Sequence, residues 1–227
     1  MDTTAAWLTL RLAATTTLLL ALFGLPLAWW LAGRERRGGI LRAFVEAVCT
    51  LPLLLPPTVL GFFMLVATAP ESGIGRAWRA LAGGTLPFTF TGILLATLIT
   101  NLPLAIRPFT AAFAALDRRL VEASWCLGES RARTFLRVVI PACWPGIVTG
   151  LVMTFAHVVG EFGVVLMVGG NIPGVTRTLS VALYDDVQAL DHVAAARTSA
   201  LLVAFSLVAL LSVHLLARSG RRQGAWR

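Results

Sequence analysis

The chain has 227 residues, of which 57% are hydrophobic and 13% charged. Ordinary soluble domains carry about 25% charged residues, so this sequence has too little polar surface to coat a globule. Its net charge of +8 comes from 19 basic residues that are all arginine, clustered between apolar runs. A loop bias of this kind explains the basicity without nucleic acid, and no nucleic-acid partner is expected. A soluble enzyme is excluded, and the composition describes a small, all-α integral membrane protein.

Five apolar stretches reach the ~20 residues that a helix needs to cross ~30 Å of hydrocarbon. They run from about Leu12 to Ala32, Val45 to Thr68, Thr91 to Leu116, Gly146 to Val168 and Ala194 to Ala217. None shows the alternation of a barrel strand. The first lacks a basic segment ahead of it and meets Arg34, Arg36 and Arg37 at its far end, so it reads as an anchor rather than a cleaved leader. Fourteen arginines fall on one side: those from Arg34 to Arg42, those from Arg107 to Arg137, and Arg218, Arg221, Arg222 and Arg227. The rule that positive loops stay inside puts the N-terminus outside and the C-terminus in the cytoplasm, which an odd number of spans satisfies. Pro52, Pro56 and Pro57 punctuate the second span, and Pro103 and Pro108 the third. Such prolines free backbone carbonyls where neighbouring helices or water must satisfy them.

Between the third and fourth spans the chain predicts a helical hairpin. Asp117 caps a first helix, Gly128 stops it, Ser130 caps a second from about Arg131 to Ile140, and Pro141 ends that one. Leu120, Val121, Ser124, Trp125 and Leu127 recur at helical spacing, giving an apolar stripe rimmed by arginines. Such a stripe can lie on lipid headgroups or enter a groove on a partner protein.

Glu122-Ala123-Ser124, three residues, Gly128, nine residues and Val138-Val139-Ile140-Pro141 resemble the EAA motif of ABC-transporter permeases, with the spacing intact from glutamate to proline. Ser124, Val138 and Ile140 stand where the pattern has alanine, isoleucine and leucine. The resemblance implies a type I ABC importer transmembrane domain of about five transmembrane helices, spanning residues 9–217 with the coupling hairpin at about 117–140, followed by a basic cytoplasmic tail at 218–227. It further implies that Glu122, Ala123, Ser124, Gly128 and Pro141 serve coupling to a separate ATPase subunit. Two such ATPases would bind ATP and Mg, and a second permease copy would complete the path as a homodimer. Leu51-Pro-Leu-Leu-Leu-Pro-Pro-Thr-Val-Leu-Gly61 and Gly160-Glu-Phe-Gly-Val-Val-Leu-Met-Val-Gly-Gly-Asn-Ile-Pro-Gly174 are similar to stretches of molybdate permeases, and in part to sulfate and tungstate permeases. The Gly170–Gly174 run followed by Thr176-Arg177-Thr178-Leu179 leans towards molybdate, with tungstate or sulfate/thiosulfate as alternatives. The resemblance places the protein in a bacterial inner membrane, multi-pass, receiving its anion from a periplasmic oxyanion-binding protein.

The sequence holds no G-x-x-x-x-G-K-[ST] and no lysine at all, so the chain is not expected to be an enzyme and ATP hydrolysis is assigned to a partner. Cys49, Cys126 and Cys143 form no CxxC, and neither a metal site nor a cofactor of the chain's own is expected. Within the fourth span Glu161 is a charge that costs roughly 2.5–3.5 kcal/mol to insert, so it requires a partner or a wet cavity. His157 lies four residues earlier on the same face. The pair can line a path or gate, clasp helices, or serve a proton-coupled secondary anion carrier, the alternative of a different class. An intramembrane enzyme is the weakest choice, because His157, His192 and His214 stand in separate places. Thr58 beside Pro56-Pro57, and Thr97, Thr100 and Asn101 ahead of Pro103, are candidate path groups for an oxyanion, with Arg107 at the cytoplasmic end. On the outer side, Tyr184, Asp185, Asp186 and Asp191, with Glu71, Arg76 and Arg79, form a surface open to a soluble delivery protein.

Overall fold

The structure, a computed structural model, describes residues 2–33 and 39–224, with side chains described as far as Leu215. Arg34, Arg36, Arg37 and Arg227 lie outside the described residues, as do the side chains of Arg218, Arg221 and Arg222. Three helices are long and apolar enough to cross a membrane unaided: α1 (Thr3–Ala32), α5 (Phe90–Ala114) and α12 (His192–Gly224), the last through its part up to Leu215. Helix α12 continues without interruption past the expected boundary at 217/218.

Asp2 starts α1, accepting from the backbone N–H groups of Thr4 and Ala5, each at 3.0 Å. Its buried face repeats every three or four residues through Ala5, Leu8, Leu12, Ala13, Thr16, Leu20, Gly24 and Ala28. In lipid, helices associate by close packing and polar contacts rather than by expelling water, so small residues belong at these seams. The stripe lies against α5, where the hydroxyls of Thr16 and Thr97 meet at 2.9 Å. On the opposite side of α5, Gly146 and Gly150 of α9 (Trp144–Gly160) approach Ala112 and Phe109, and a Cβ on either glycine would come within 2.5 or 2.7 Å of those side chains. Helix α5 is thus the axis of the bundle, touching α1, α2, α9 and α10.

The other two spans are broken, the second where its prolines predict a bend and the fourth where an unbroken apolar run is expected. The second is α2 (Gly39–Leu54) followed by α3 (Pro57–Thr68), bent by 114°. Pro57, which lacks an N–H, takes the first position of α3, where none is needed. The fourth ends as α9 at Gly160 and resumes as α10 (Gly163–Gly169), with Glu161 and Phe162 out of helical conformation between them. Glu161 therefore sits at a helix break and not inside a helix. Beyond α3 lies α4 (Gly73–Ala82), and beyond α10 lies α11 (Leu179–Gln188).

The hairpin forms as expected at its turn and differs at its exit. Its first helix, α6 (Arg118–Cys126), is capped by Asp117, whose carboxylate accepts from the Arg119 N–H at 2.9 Å. Gly128 turns the chain at φ 83°, a left-handed conformation that suits glycine. Ser130 then caps α7 (Arg131–Thr134). Pro141 does not end this second helix. A π-helical turn over Phe135–Val139 widens it, and the proline is taken into the following turn, α8 (Ile140–Ala142). An ordinary helix would clash the proline ring with the carbonyl four residues back, and the wider turn relieves this. The axis then bends by 78° into α9.

Candidate functional site

The two breaks face one another. Pro57, at the break of the second span, lies beside Gly163, at the break of the fourth, and a Cβ on Gly163 would stand 2.9 Å from that of Pro57. One turn on in α3, Gly61 lies against Met167 of α10, where an added Cβ would approach to 2.6 Å. A cavity of about 760 Å³ opens beside this junction, lined by Pro57, Thr58, His157, Gly160, Glu161, Phe162 and Gly163 and walled by Ser206 and Ala209 of α12. Discontinuous helices whose unsatisfied backbone groups border a cavity are the usual way in which membrane proteins build polar paths.

Behind the cavity wall, three polar side chains from different parts of the chain converge. His157 Nδ1 lies 2.9 Å from Asn101 Oδ1, and since an amide oxygen only accepts, that nitrogen carries the hydrogen. Asn101 Nδ2 donates to the Thr97 carbonyl at 2.9 Å and reaches Glu161 Oε2 at 3.5 Å. The His157 ring is also 3.5 Å from that carboxylate oxygen. Glu161 is 6% exposed, whereas the His157 side chain is 52% exposed to the cavity. The carboxylate is therefore a buried strut and the imidazole is the group presented to the cavity. Ser180 of α11 donates to the Glu161 carbonyl, and Phe162 stacks on Tyr184 of the same helix at 5.1 Å. Through these contacts α11 holds the break of the fourth span.

Of the expected path residues, Thr58, His157 and Glu161 line one cavity, and Asn101, fully buried, lies behind its wall. Thr100 backs this group, donating to the Ala96 carbonyl and accepting from Asn101. Two further candidates lie apart from this cavity. Thr97 is fully buried, its hydroxyl occupied by Thr16 and the Leu94 carbonyl, and it packs in the α1–α5 seam. Arg107 is exposed beside a separate cleft of about 240 Å³ that also contains Glu46 and Cys49, nearly two turns from Asn101 towards the hairpin.

At the hairpin, Glu122, Ala123, Gly128 and Pro141 are exposed, together with Trp125 and Leu127. Ser124 is not: it is buried, and its hydroxyl meets that of Thr134 at 2.9 Å, tying the two helices together. A serine in place of the usual alanine thus adds an internal bond and removes nothing from the surface. Trp29 at the end of α1, Phe113 at the end of α5 and Phe135 in the π turn form an aromatic cluster with ring centres 5.5–6.0 Å apart. The cluster joins the hairpin to the ends of both spans.

At the opposite end, Asp185 is engaged rather than free. It accepts from both Arg177, at 3.2 Å, and Asn171, and Arg177 in turn donates to Asn171 at 2.7 Å. Asp191 caps α12 by accepting from the Ala194 N–H. Glu71 and Arg79 lie 4.0 Å apart on the surface. Of the acidic residues expected there, Asp185 braces the loop between α10 and α11, while Asp191 serves α12 and Glu71 lies beside α4. Sequence alone offered no signal for this network.

Broken spans beside a largely apolar cavity that exposes His157, joined to an exposed hairpin with the EAA spacing, are the architecture of a transporter's membrane component. Residues 24–222 match the family described as binding-protein-dependent transport system inner membrane component, and the chain belongs to that family. It is 44% identical over 213 residues to the molybdenum transport system permease protein ModB of Azotobacter vinelandii, covering 94% of this chain and 93% of that one. Its identity to ModB of Escherichia coli strain K12 is 34%, covering 96% and 95% of the two chains. A probable sulfate transport system permease protein, cysT, of Prototheca wickerhamii is 32% identical, covering 92% and 79%. The fold is that of the MetNI methionine ABC transporter in its inward-facing form, with a TM-score of 0.70 at 18% identity, covering 97% of this chain and 96% of that one. A bacterial alginate ABC transporter solved with a pentasaccharide-bound periplasmic protein gives the same TM-score at 18% identity, covering 96% and 78%. The family makes this chain a permease component and not a catalytic subunit, and it gives the proton-coupled alternative no support.

Proposed function

We propose that the chain is the permease subunit of an ATP-driven importer of molybdate, working as a homodimer with two copies of a separate ATPase at the hairpins. The observation that carries this reading is the near full-length 44% identity to a molybdenum permease. The exposed Glu122–Gly128 surface supports it, because that surface is free to enter a partner's groove. Arginine bias supports a multi-pass inner-membrane orientation with the hairpin and C-terminus in the cytoplasm.

In this mechanism ATP closes the two ATPases, which move the hairpins. The Trp29–Phe113–Phe135 cluster passes the motion to α1 and α5, and the bend after Ala142 passes it to α9. Because the spans are already broken where Pro57 meets Gly163, they tilt about that junction without rupturing backbone hydrogen bonds. A soluble binding protein delivers the dianion to the outer side, and the cavity offers it the Thr58 hydroxyl and the His157 edge, with Glu161 turned away. A path of weak polar contacts passes the ion on without trapping it, and ATP hydrolysis resets the pore inward.

The test is reconstitution with the ATPase and binding protein encoded beside the gene, measuring uptake of molybdate, tungstate and sulfate. ATP-dependent molybdate uptake competed by tungstate is expected. Sulfate is the second reading, favoured by the 32% identity to a sulfate permease, and preferential sulfate uptake would replace molybdate with it. Full-rate uptake without the ATPase overturns the importer reading.

A further inference from the structure

Helix α4 presents an apolar stripe that is bare at Ile74, Ala77 and Leu81 and half-buried at Trp78. At 100° per residue Ile74, Ala77, Trp78 and Leu81 share one face, and Arg76 and Arg79 lie on the opposite face. Ile74 is 58% exposed and Leu81 is 86% exposed. The one buried residue of the helix is Gly75, which packs on its side rather than on the stripe. There the first turn of α4 sits so close to the Ala69 carbonyl that a Cβ would overlap it. Ser72 locks this corner by donating to the Ala67 carbonyl at 2.6 Å and accepting from the Gly75 N–H at 2.9 Å. The helix is therefore held rigidly at the end of α3, on the side of the bundle opposite the hairpin, since it precedes α5 and the hairpin follows it. The adjoining surface of α3 is also apolar and bare: Phe62, Phe63 and Val66 are each more than half exposed.

We infer that α4 is an interfacial anchor, lying in the headgroup boundary of the leaflet opposite the hairpin, with Ile74, Trp78 and Leu81 in the acyl region and Arg76 and Arg79 at the phosphates. Two observations commit the stripe to lipid. It adjoins the bare apolar surface of α3, and its arginines match the charge of phosphate while the stripe itself is uncharged. An amphipathic helix with a basic face and tryptophan on the other is the pattern that settles about 5–10 Å into this boundary. The anchor fixes the end of α3, whose Gly61 bears on Met167 of α10, so one broken span moves against another that the bilayer holds in depth.

The test uses the full chain in phospholipid nanodiscs, with Cys49 and Cys143 replaced by alanine and Cys126 by serine, and a nitroxide at Leu81→Cys or Arg76→Cys. The label at 81 is expected to be open to oxygen and shielded from a water-soluble nickel complex, at a depth of about 5–10 Å, with the reverse at 76. Nickel access at both positions means the helix stands in water and overturns the proposal. Shielding of 81 from both relaxants, with spin–spin broadening, assigns the stripe to a second copy and overturns it too. Shielding that appears only when binding protein is added has the same consequence. Trp78 gives a check that needs no label: brominated lipid quenches part of the native emission, and Trp78→Phe removes that part. If it removes none, the ring is not in lipid.

Discussion

Gly163 lies so close to Pro57 that a methyl group on it would come within 2.9 Å of the proline Cβ, and this one contact joins the breaks of two spans. Overpacking a close seam costs about 1–3 kcal/mol. Gly163→Ala is expected to lower the midpoint of thermal unfolding in detergent and to reduce ATP-dependent uptake while insertion is kept. Gly163→Val should abolish uptake. Wild-type transport by the valine variant would show that the junction is not where the spans pivot.

Asn101 connects His157 to Glu161 and also reaches the Thr97 carbonyl. Its removal leaves the imidazole hydrogen and the carboxylate without their amide. Polar contacts between membrane helices are worth about 0.6 kcal/mol on average and up to about 1.7. Asn101→Ala is expected to destabilise by about 1–2 kcal/mol. A double-mutant cycle with His157→Ala should show a coupling free energy well above zero. A cycle that closes additively would mean that the two side chains do not act on one another.

At the hairpin turn, nothing lies within 4 Å of a Cβ built on Gly128, so a substitution acts through the backbone and not by collision. A left-handed residue other than glycine costs about 1–2 kcal/mol, less for asparagine and more for a β-branched residue. Co-purification with the ATPase should fall in the order Gly128, Asn, Ala, Val. Ser124→Ala loses only the bond to Thr134 and should cost about 1 kcal/mol or less with coupling intact. Equal retention of the ATPase by all the Gly128 variants would place the docking surface elsewhere.

Arg177 holds both Asp185 and Asn171. Arg177→Ala should loosen the loop from Gly170 to Thr178, raising its cleavage by protease and weakening stimulation of ATP hydrolysis by the binding protein. Basal hydrolysis should be unchanged. Asp185→Asn is expected to have the milder form of the same effect, because an amide still accepts from the guanidinium. If neither variant alters cleavage, the loop does not depend on this brace.

The spans and the hairpin were legible because each rests on local physics. A run of twenty apolar residues is a membrane helix wherever it occurs, and Asp117, Gly128 and Ser130 are caps by their own chemistry. The break at Pro56-Pro57 was marked by its prolines. The break at Gly160–Gly163 was not, because no proline announces it and an apolar window over Gly-Glu-Phe-Gly reads as unbroken helix. Glu161 and His157 could be paired by spacing, whereas Asn101 is 56 residues from His157 and only the packing of α5 on α9 brings them together. The bond of Thr97 to Thr16 of α1 was hidden for a related reason: position along a helix does not say which neighbour each face meets.

The widened turn at Phe135–Val139 takes in one more residue than an α-helical turn, so the side chains of Ile140–Ala142 are rotated by about 100° from where a regular helix would carry them. Because the axis bends by 78° between Ala142 and α9, an insertion or deletion of a single residue in this stretch would swing α9 like a crank about the axis of the hairpin's second helix. Gly146 and Gly150 would leave α5 and His157 would leave the cavity, although no amino acid near either had changed. The direction of the fourth span is set by a few residues at the exit of the hairpin, which makes that short stretch intolerant of any change in length even where it tolerates changes in sequence.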